Sequence, residues 1–221
     1  MIAKLYKLRF EIFLITQLMI LFGSLLFPPE FYEHILLPLF YLISIVAGVL
    51  LISKKKKLMW LFVGLFVISA FVFGFEIISR KQNTDNMLIR LFIYFVFYIT
   101  VTWNIIKQVW QAQHVTKNVI MGLMSGYVSL GFLAFFLFMS IELMNPGAFS
   151  GILIETNDIV LKSEGILYYA YITLLTIGYG EIVPTIPIAQ KAAVLVGLMG
   201  QFYMVIITAV VVEKYIKHSS K

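Results

Sequence analysis

Residues 176–181 read Thr176-Ile177-Gly178-Tyr179-Gly180-Glu181, a run whose backbone can take the place of an ion's water shell. Consecutive carbonyl oxygens aimed at one axis coordinate a dehydrated cation without any charged side chain. Such a row needs backbone dihedrals of alternating hand, which residues with a Cβ reach only at about 1–2 kcal/mol each. Gly178 and Gly180 reach them freely. Ile177 and Tyr179 can then point away from the axis and hold the loop at a fixed width, while the Thr176 hydroxyl adds an oxygen at the inner end. The motif occurs once in the chain, so four copies are needed to surround an ion.

A Gly-Tyr-Gly tripeptide on its own is also a plain glycine turn between two helices, and the flanking sequence decides between the two. Leu167–Leu175 is an apolar, aromatic run of helical type, about half the length that crosses a bilayer. It suits a helix that enters the membrane and turns back. After the motif, Val183-Pro184-Thr185 leads into Ile186–Val212, which is long enough to span. Irregular backbone at membrane depth is tolerated only where protein encloses an aqueous path. A short helix, a glycine loop and a spanning helix together describe a pore loop.

On these residues the segment 119–215 resembles the pore domain of the tetrameric potassium channels. Tyr168, Tyr169, Ala170 and Thr173 fall where that family carries two aromatics, a small residue and a threonine in its pore helix. The resemblance implies that Thr176, Ile177, Gly178, Tyr179 and Gly180 form the selectivity filter for K+, with the first four carbonyls binding the dehydrated ion. It further implies filter support from Tyr168, Tyr169, Thr173 and Glu181, with the two tyrosines in the cuff around Tyr179. Gly200 stands where the inner helix of the family carries its hinge glycine, and Gly197 is a second candidate for bending. Close approach of a neighbouring helix explains either glycine equally well. Glu142, near the outer end of the fifth helix, matches a glutamate that braces the outer pore in voltage-gated relatives; a simple interfacial carboxylate is the alternative. Two departures stand out: Glu181 replaces an aspartate, and tyrosines stand where tryptophan is common. A tyrosine hydroxyl can replace tryptophan as a hydrogen-bond partner for the acid. Ile172 is apolar, so a carboxylate pair behind the filter is not expected.

Composition points to the same class of protein. Apolar residues make up 61% of 221 and charged residues 13%, with a mean hydropathy of +0.96, whereas soluble domains are about half apolar and a quarter charged. No cysteine is present, which excludes disulfides and thiolate chemistry. Six apolar stretches reach about the 18 residues that mark a membrane span: Phe10–Phe27, Ile35–Ser53, Leu58–Ser79, Met87–Trp110, Val119–Leu143 and Ile186–Val212. The expected fold is therefore an all-α integral membrane protein, with six transmembrane helices plus one re-entrant pore helix and the filter loop. The first of these stretches runs into Phe27-Pro28-Pro29 without a small-residue cleavage site and reads as a retained helix. Residues 1–118 form a four-helix module and residues 119–221 the pore domain.

Lysines and arginines set the orientation. With the amino terminus in the cytoplasm, the inner side collects Lys4, Lys7, Arg9, Lys54, Lys55, Lys56, Lys57, Lys107, Lys117, Lys214, Lys217 and Lys221, while most acids fall outside. Both termini are then cytoplasmic in a multi-pass protein of the cell membrane, with Glu181 at the outer mouth. The net charge of +6 needs no nucleic acid. The Lys54–Lys57 run is a topology determinant, with anionic lipid as the other reading.

Six helices with a pore loop between the last two is the layout of voltage-gated channels, in which the fourth helix repeats arginine every third residue. Here Met87–Trp110 carries only Arg90 and Lys107, one near each end, and both can snorkel to an interface. Each charge crossing 100 mV contributes about 2.3 kcal/mol, so little voltage sensing is expected. Glu76 is a candidate partner for Arg90. His34, His114 and His218 are scattered, and neither a phosphate loop nor a nucleophile motif occurs, so no enzyme activity and no cofactor beyond permeant K+ is expected. The reading is a homotetrameric, potassium-selective channel. Gating is left to the inner helix, the filter, lipid, pH or a separate regulatory subunit. The other readings are a less selective cation channel or transporter subunit, and a non-conducting scaffold or receptor on a retained pore fold.

Overall fold

Long apolar runs can satisfy their backbone in lipid only by internal hydrogen bonds, and helices dominate the chain accordingly. The computed structural model describes residues 6, 8–28, 31–52, 56–79, 84–112, 114, 116–156 and 158–219. Its helices are α1 (Arg9–Phe22), α2 (Leu37–Ile52), α3 (Lys56–Ser79), α4 (Thr84–Gln111), α5 (Lys117–Met144), α6 (Ile159–Leu174) and α7 (Pro187–Ser219). Two short strands, β1 (Phe149–Ser150) and β2 (Val183–Pro184), pair antiparallel, with Phe149 opposite Pro184 and Ser150 opposite Val183. Among the described residues three helices are long and apolar enough to cross a membrane: Leu88–Gln111, Lys117–Met144 and Pro187–Ile207. The apolar helix over Leu37–Leu51 is shorter. Three of the six expected spans thus meet the requirements of length and hydropathy among the described residues. Lys54, Lys55 and the side chain of Glu76 lie outside the described residues.

The chain divides into two compact units, Met1–Val128 and Ser129–Lys221, with the boundary inside α5. In the first unit α1 packs on α2, and α2 packs on α3 and α4. The buried stripe of α4, Tyr94, Phe97, Tyr98, Val101 and Ile105, has the three- and four-residue spacing of one helix face. Phe97 meets Phe62 at 4.9 Å and Phe13 at 6.2 Å between ring centroids, in a notch that Gly48 leaves open. Tyr94 stacks on Tyr41 at 4.6 Å. The hydroxyls of Tyr98 and Tyr94 on α4 meet serines, Tyr98 with Ser44 and Tyr94 with Ser69, each at 3.1 Å. Pairing of this kind removes the penalty of burying a hydroxyl in apolar surroundings. At one edge of the unit Lys117 bonds to Glu11 at 3.0 Å, and the Arg9 guanidinium donates to Gln108 Oε1 at 3.2 Å.

The second unit holds the rest of α5, then β1, α6, the Thr176–Glu181 loop, β2 and α7. The ring of Tyr171 on α6 occupies the space that a side chain at Gly131 on α5 would fill, and it meets Phe132 edge-on at 6.0 Å. Nearer the β1 end, Phe138, Phe149 and Tyr169 form a triangle with centroid separations of 5.1–5.4 Å. These contacts fix α6 against α5, and α6 in turn carries the loop.

Candidate functional site

The helix leading into the loop is longer than hydropathy implies. α6 begins at Ile159, eight residues before the expected start at Leu167. The Asp158 side chain accepts from the Val160 N–H at 2.8 Å, an N-cap of ordinary chemistry. Lys162, Ser163 and Glu164 interrupt the apolar run and hide those first turns from a hydropathy reading; the Asp158 cap is the signal that reveals them. Gly165 lies against the Leu153 carbonyl, where no side chain fits.

At the other end of α6 the chain folds back onto its own last turn. Leu175 N–H donates to the Tyr171 carbonyl at 2.8 Å and Thr176 N–H to that of Thr173 at 3.1 Å. The Ile172 carbonyl accepts from Ile177 at 2.8 Å and from Gly178 at 3.4 Å. The amides on the helix side of the loop are thus consumed by the helix end, and the carbonyls of α6 that point the same way give this end the partial negative charge of a helix C-terminus. Thr176, Gly178 and Gly180 have φ of 57°, 60° and 93°. Every second residue therefore lies in the left-handed region, an alternation that turns successive carbonyls toward a common side. For the glycines this is free; for β-branched Thr176 it is a strained position.

All of Leu175–Glu181 is exposed in the single chain, with Tyr179 73% and Ile177 46% accessible. Tyr168 interacts with Glu181, whose hydrogen bond, followed by partial desolvation and the charges of Glu181 and Tyr179, pushes the phenol from its ordinary 10.0 up to about 12. Tyr168 therefore stays a neutral donor toward Glu181 throughout the neutral range. Tyr169, the second tyrosine of the expected cuff, has other neighbours within its own chain. Within one chain it is buried against Phe138 and Phe149, and its hydroxyl interacts with Thr173.

Glu142 is 2% exposed. It accepts from Gly147 N–H at 3.1 Å, from Phe149 N–H at 3.2 Å and from Lys162 Nζ at 3.2 Å. One acid thus joins the end of α5, the turn after it and the first turn of α6. Lys162 carries no motif signal, because the pairing depends on α6 starting early. The same turn is bonded to the chain leaving the loop: Thr185 N–H donates to Ala148 O at 2.9 Å, and Thr185 Oγ1 donates to Gly147 O at 2.6 Å. Gly151, beside β1, lies so close to the Glu181 carbonyl that a Cβ there would overlap it.

Of the two candidate bending glycines, Gly200 is buried against the end of α6, where a Cβ would overlap the Leu174 carbonyl oxygen. Gly197 has open space around its Cα. α7 runs unbroken past both. Close packing of two backbones is the reason for glycine at position 200 in this conformation. Lys56 and Lys57, at the start of α3, are exposed.

These features define a mostly helical protein with three helices, among the described residues, long and apolar enough to cross a membrane, and with a shorter helix and a glycine loop between the last two of them. A protein-family model described as Ion channel matches residues 130–217, the stretch that runs from within α5 to near the end of α7 and contains the whole loop. The match supports the resemblance to potassium channels and covers less than half of the chain. No curated protein and no solved structure gives a significant match.

Proposed function

We propose that the chain is the subunit of a potassium-selective channel, passing K+ passively through a filter built from the Thr176, Ile177, Gly178 and Tyr179 carbonyls of four copies. The observation that carries this reading is the exposure of Leu175–Glu181 in a chain of membrane type. Bare carbonyls at membrane depth are stable only when protein encloses them. A single loop encloses nothing, so further copies must complete the site. The inner helix agrees with this: only 17% of the Pro187–Ile207 window is buried, against 67% for α5. Channels of the matched kind are typically oligomers, which supports four-fold assembly.

Backbone coordination explains the preference for potassium: the carbonyls substitute for a hydration shell of a given size and field. Glu181, repeated four times near one axis, concentrates cations at the mouth by electrostatic focusing. The positive-inside pattern supports cytoplasmic termini, and the six apolar stretches support six spans. α4 presents aromatic and hydroxyl groups to its neighbours, which supports a pore with little intrinsic voltage sensing. Lipid contact at Lys54–Lys57 and regulation by a separate subunit are compatible additions. Ion flux by the purified protein in liposomes tests the reading: selective K+ flux is expected. Equal K+ and Na+ flux favours a nonselective cation pore, and no flux favours a scaffold.

A further inference from the structure

The inner end of the filter has a partner on α7 that neither the motif nor the family match assigns. Gly200 packs on the Leu174 carbonyl so closely that any side chain there would force the helices apart, and this contact sets the register of α7 against the end of α6. The next residue, Gln201, is exposed, and its amide Nε2 donates to Thr176 Oγ1 at 3.2 Å. Thr176 is the residue of the loop that most needs holding: it is β-branched and carries a φ of 57°, where such residues are outliers. Its own N–H is engaged by the Thr173 carbonyl. That leaves the hydroxyl as the free variable.

A threonine hydroxyl has one proton and two lone pairs, and rotation decides which of them faces a ligand. With one lone pair accepting from Gln201, the other remains available as a ligand for a cation. Without that bond, the hydroxyl is free to turn its proton toward the ion path. A glutamine is suited to the task because its amide is neutral: it orients the oxygen without adding a charge that would compete with the carbonyls above it.

We propose that Gln201 is a positioning residue for the innermost ion site, setting its affinity by holding the Thr176 hydroxyl as an acceptor. The proposal rests on the filter reading above. Its consequence is a ring of four Gln201–Thr176 pairs below the carbonyl sites, with ion preference at the inner entrance decided by α7.

The test uses the full chain in planar bilayers, with barium, a divalent ion close to potassium in radius, applied from the cytoplasmic side as a blocker. Gln201→Leu removes the donor at similar volume, Gln201→Met does so with an unbranched chain should the leucine disturb assembly, and Gln201→Asn keeps the amide but shortens its reach. Loss of one hydrogen bond corresponds to a weakening of internal barium block by about three- to tenfold in all three. The rubidium-to-potassium permeability ratio should shift with it, while potassium-over-sodium selectivity persists. A role confined to helix packing would lower the thermal stability of the tetramer and leave barium affinity alone. A folded, potassium-selective Gln201→Leu or Gln201→Met channel with parental barium affinity overturns the proposal. A parent channel that does not select potassium over sodium overturns the filter reading, and the proposal with it.

Discussion

The amino-terminal unit and the channel unit treat their polar groups in opposite ways. In the first, the Tyr94 and Tyr98 hydroxyls are buried and meet serines of the same chain. In the second, the loop Thr176–Glu181 is exposed, and the Pro187–Ile207 helix is mostly uncovered. A polar group inside lipid must find a partner: these tyrosines find theirs within one chain, whereas the proposed reading gives the loop its enclosure in further copies. The second unit also satisfies a buried charge within one chain, pairing Glu142 with Lys162.

The strongest challenge to this comparison is Gly178→Ala. The substitution places a Cβ at φ 60°, at about 1–2 kcal/mol per subunit. Four copies should abolish potassium selectivity while insertion and helix content, which depend on the spanning helices, stay unchanged. A reversal-potential measurement showing the parental potassium-to-sodium ratio would sink the filter assignment.

Next in size is Glu142→Ala. It strands Lys162 and two backbone N–H groups that now bond to the carboxylate, and should destabilise the channel unit by about 3 kcal/mol, the lower end of what removing one partner of a buried pair costs. Detergent-solubilised protein should unfold at a lower temperature and lose the assembled form first. An unshifted melting curve would mean that the brace is only a surface contact.

The amino-terminal unit should respond more weakly. Tyr98→Phe removes one internal hydroxyl pair and should cost about 1 kcal/mol, with ion selectivity unaltered. If this variant changed the potassium-to-sodium ratio, the two units would not be functionally separable in the way their burial suggests.

Voltage gives a smaller effect again. Lys107 is exposed on α4, and the buried face of that helix carries aromatic, aliphatic and uncharged polar side chains. Fewer than about two effective charges per tetramer should move with voltage, and Arg90→Gln or Lys107→Gln should leave the conductance–voltage curve in place. A steep curve that shifts in Arg90→Gln would show that few charges in a focused field suffice.

The smallest expected change is with alkaline pH. Tyr168 is raised from 10.0 to about 12 beside Glu181, so its neutral, donating form is the one favoured by the fold. The contribution of this contact is complete below about pH 10 and is lost as pH rises through 12. Between pH 7 and 9 the Tyr168→Phe and parent channels should therefore differ by a constant amount in the rate of entry into non-conducting states. A difference that grows across that interval would assign the titration to another group.

Much was legible in the residues alone. Gly178 and Gly180 in alternation with Ile177 and Tyr179 specify a loop of alternating hand because glycine alone adopts left-handed backbone without strain, and the left-handed φ values of 60° and 93° at the two glycines fit that demand. The long apolar runs specify helices because lipid offers the backbone no other partner. Period and propensity are local properties, and a linear reading reaches them. Three features were decided only by tertiary structure. Lys162 reaches Glu142 because α6 starts at Ile159 under an Asp158 cap, which hydropathy masks. Tyr169 turns to Phe138 and Phe149 because the α5–α6 packing leaves its face there. Gln201 meets Thr176 because Gly200 allows α7 to touch the Leu174 carbonyl. Each of these depends on how closely two elements approach, a distance set by side-chain volumes on both, and no single stretch of sequence contains both halves of that contact.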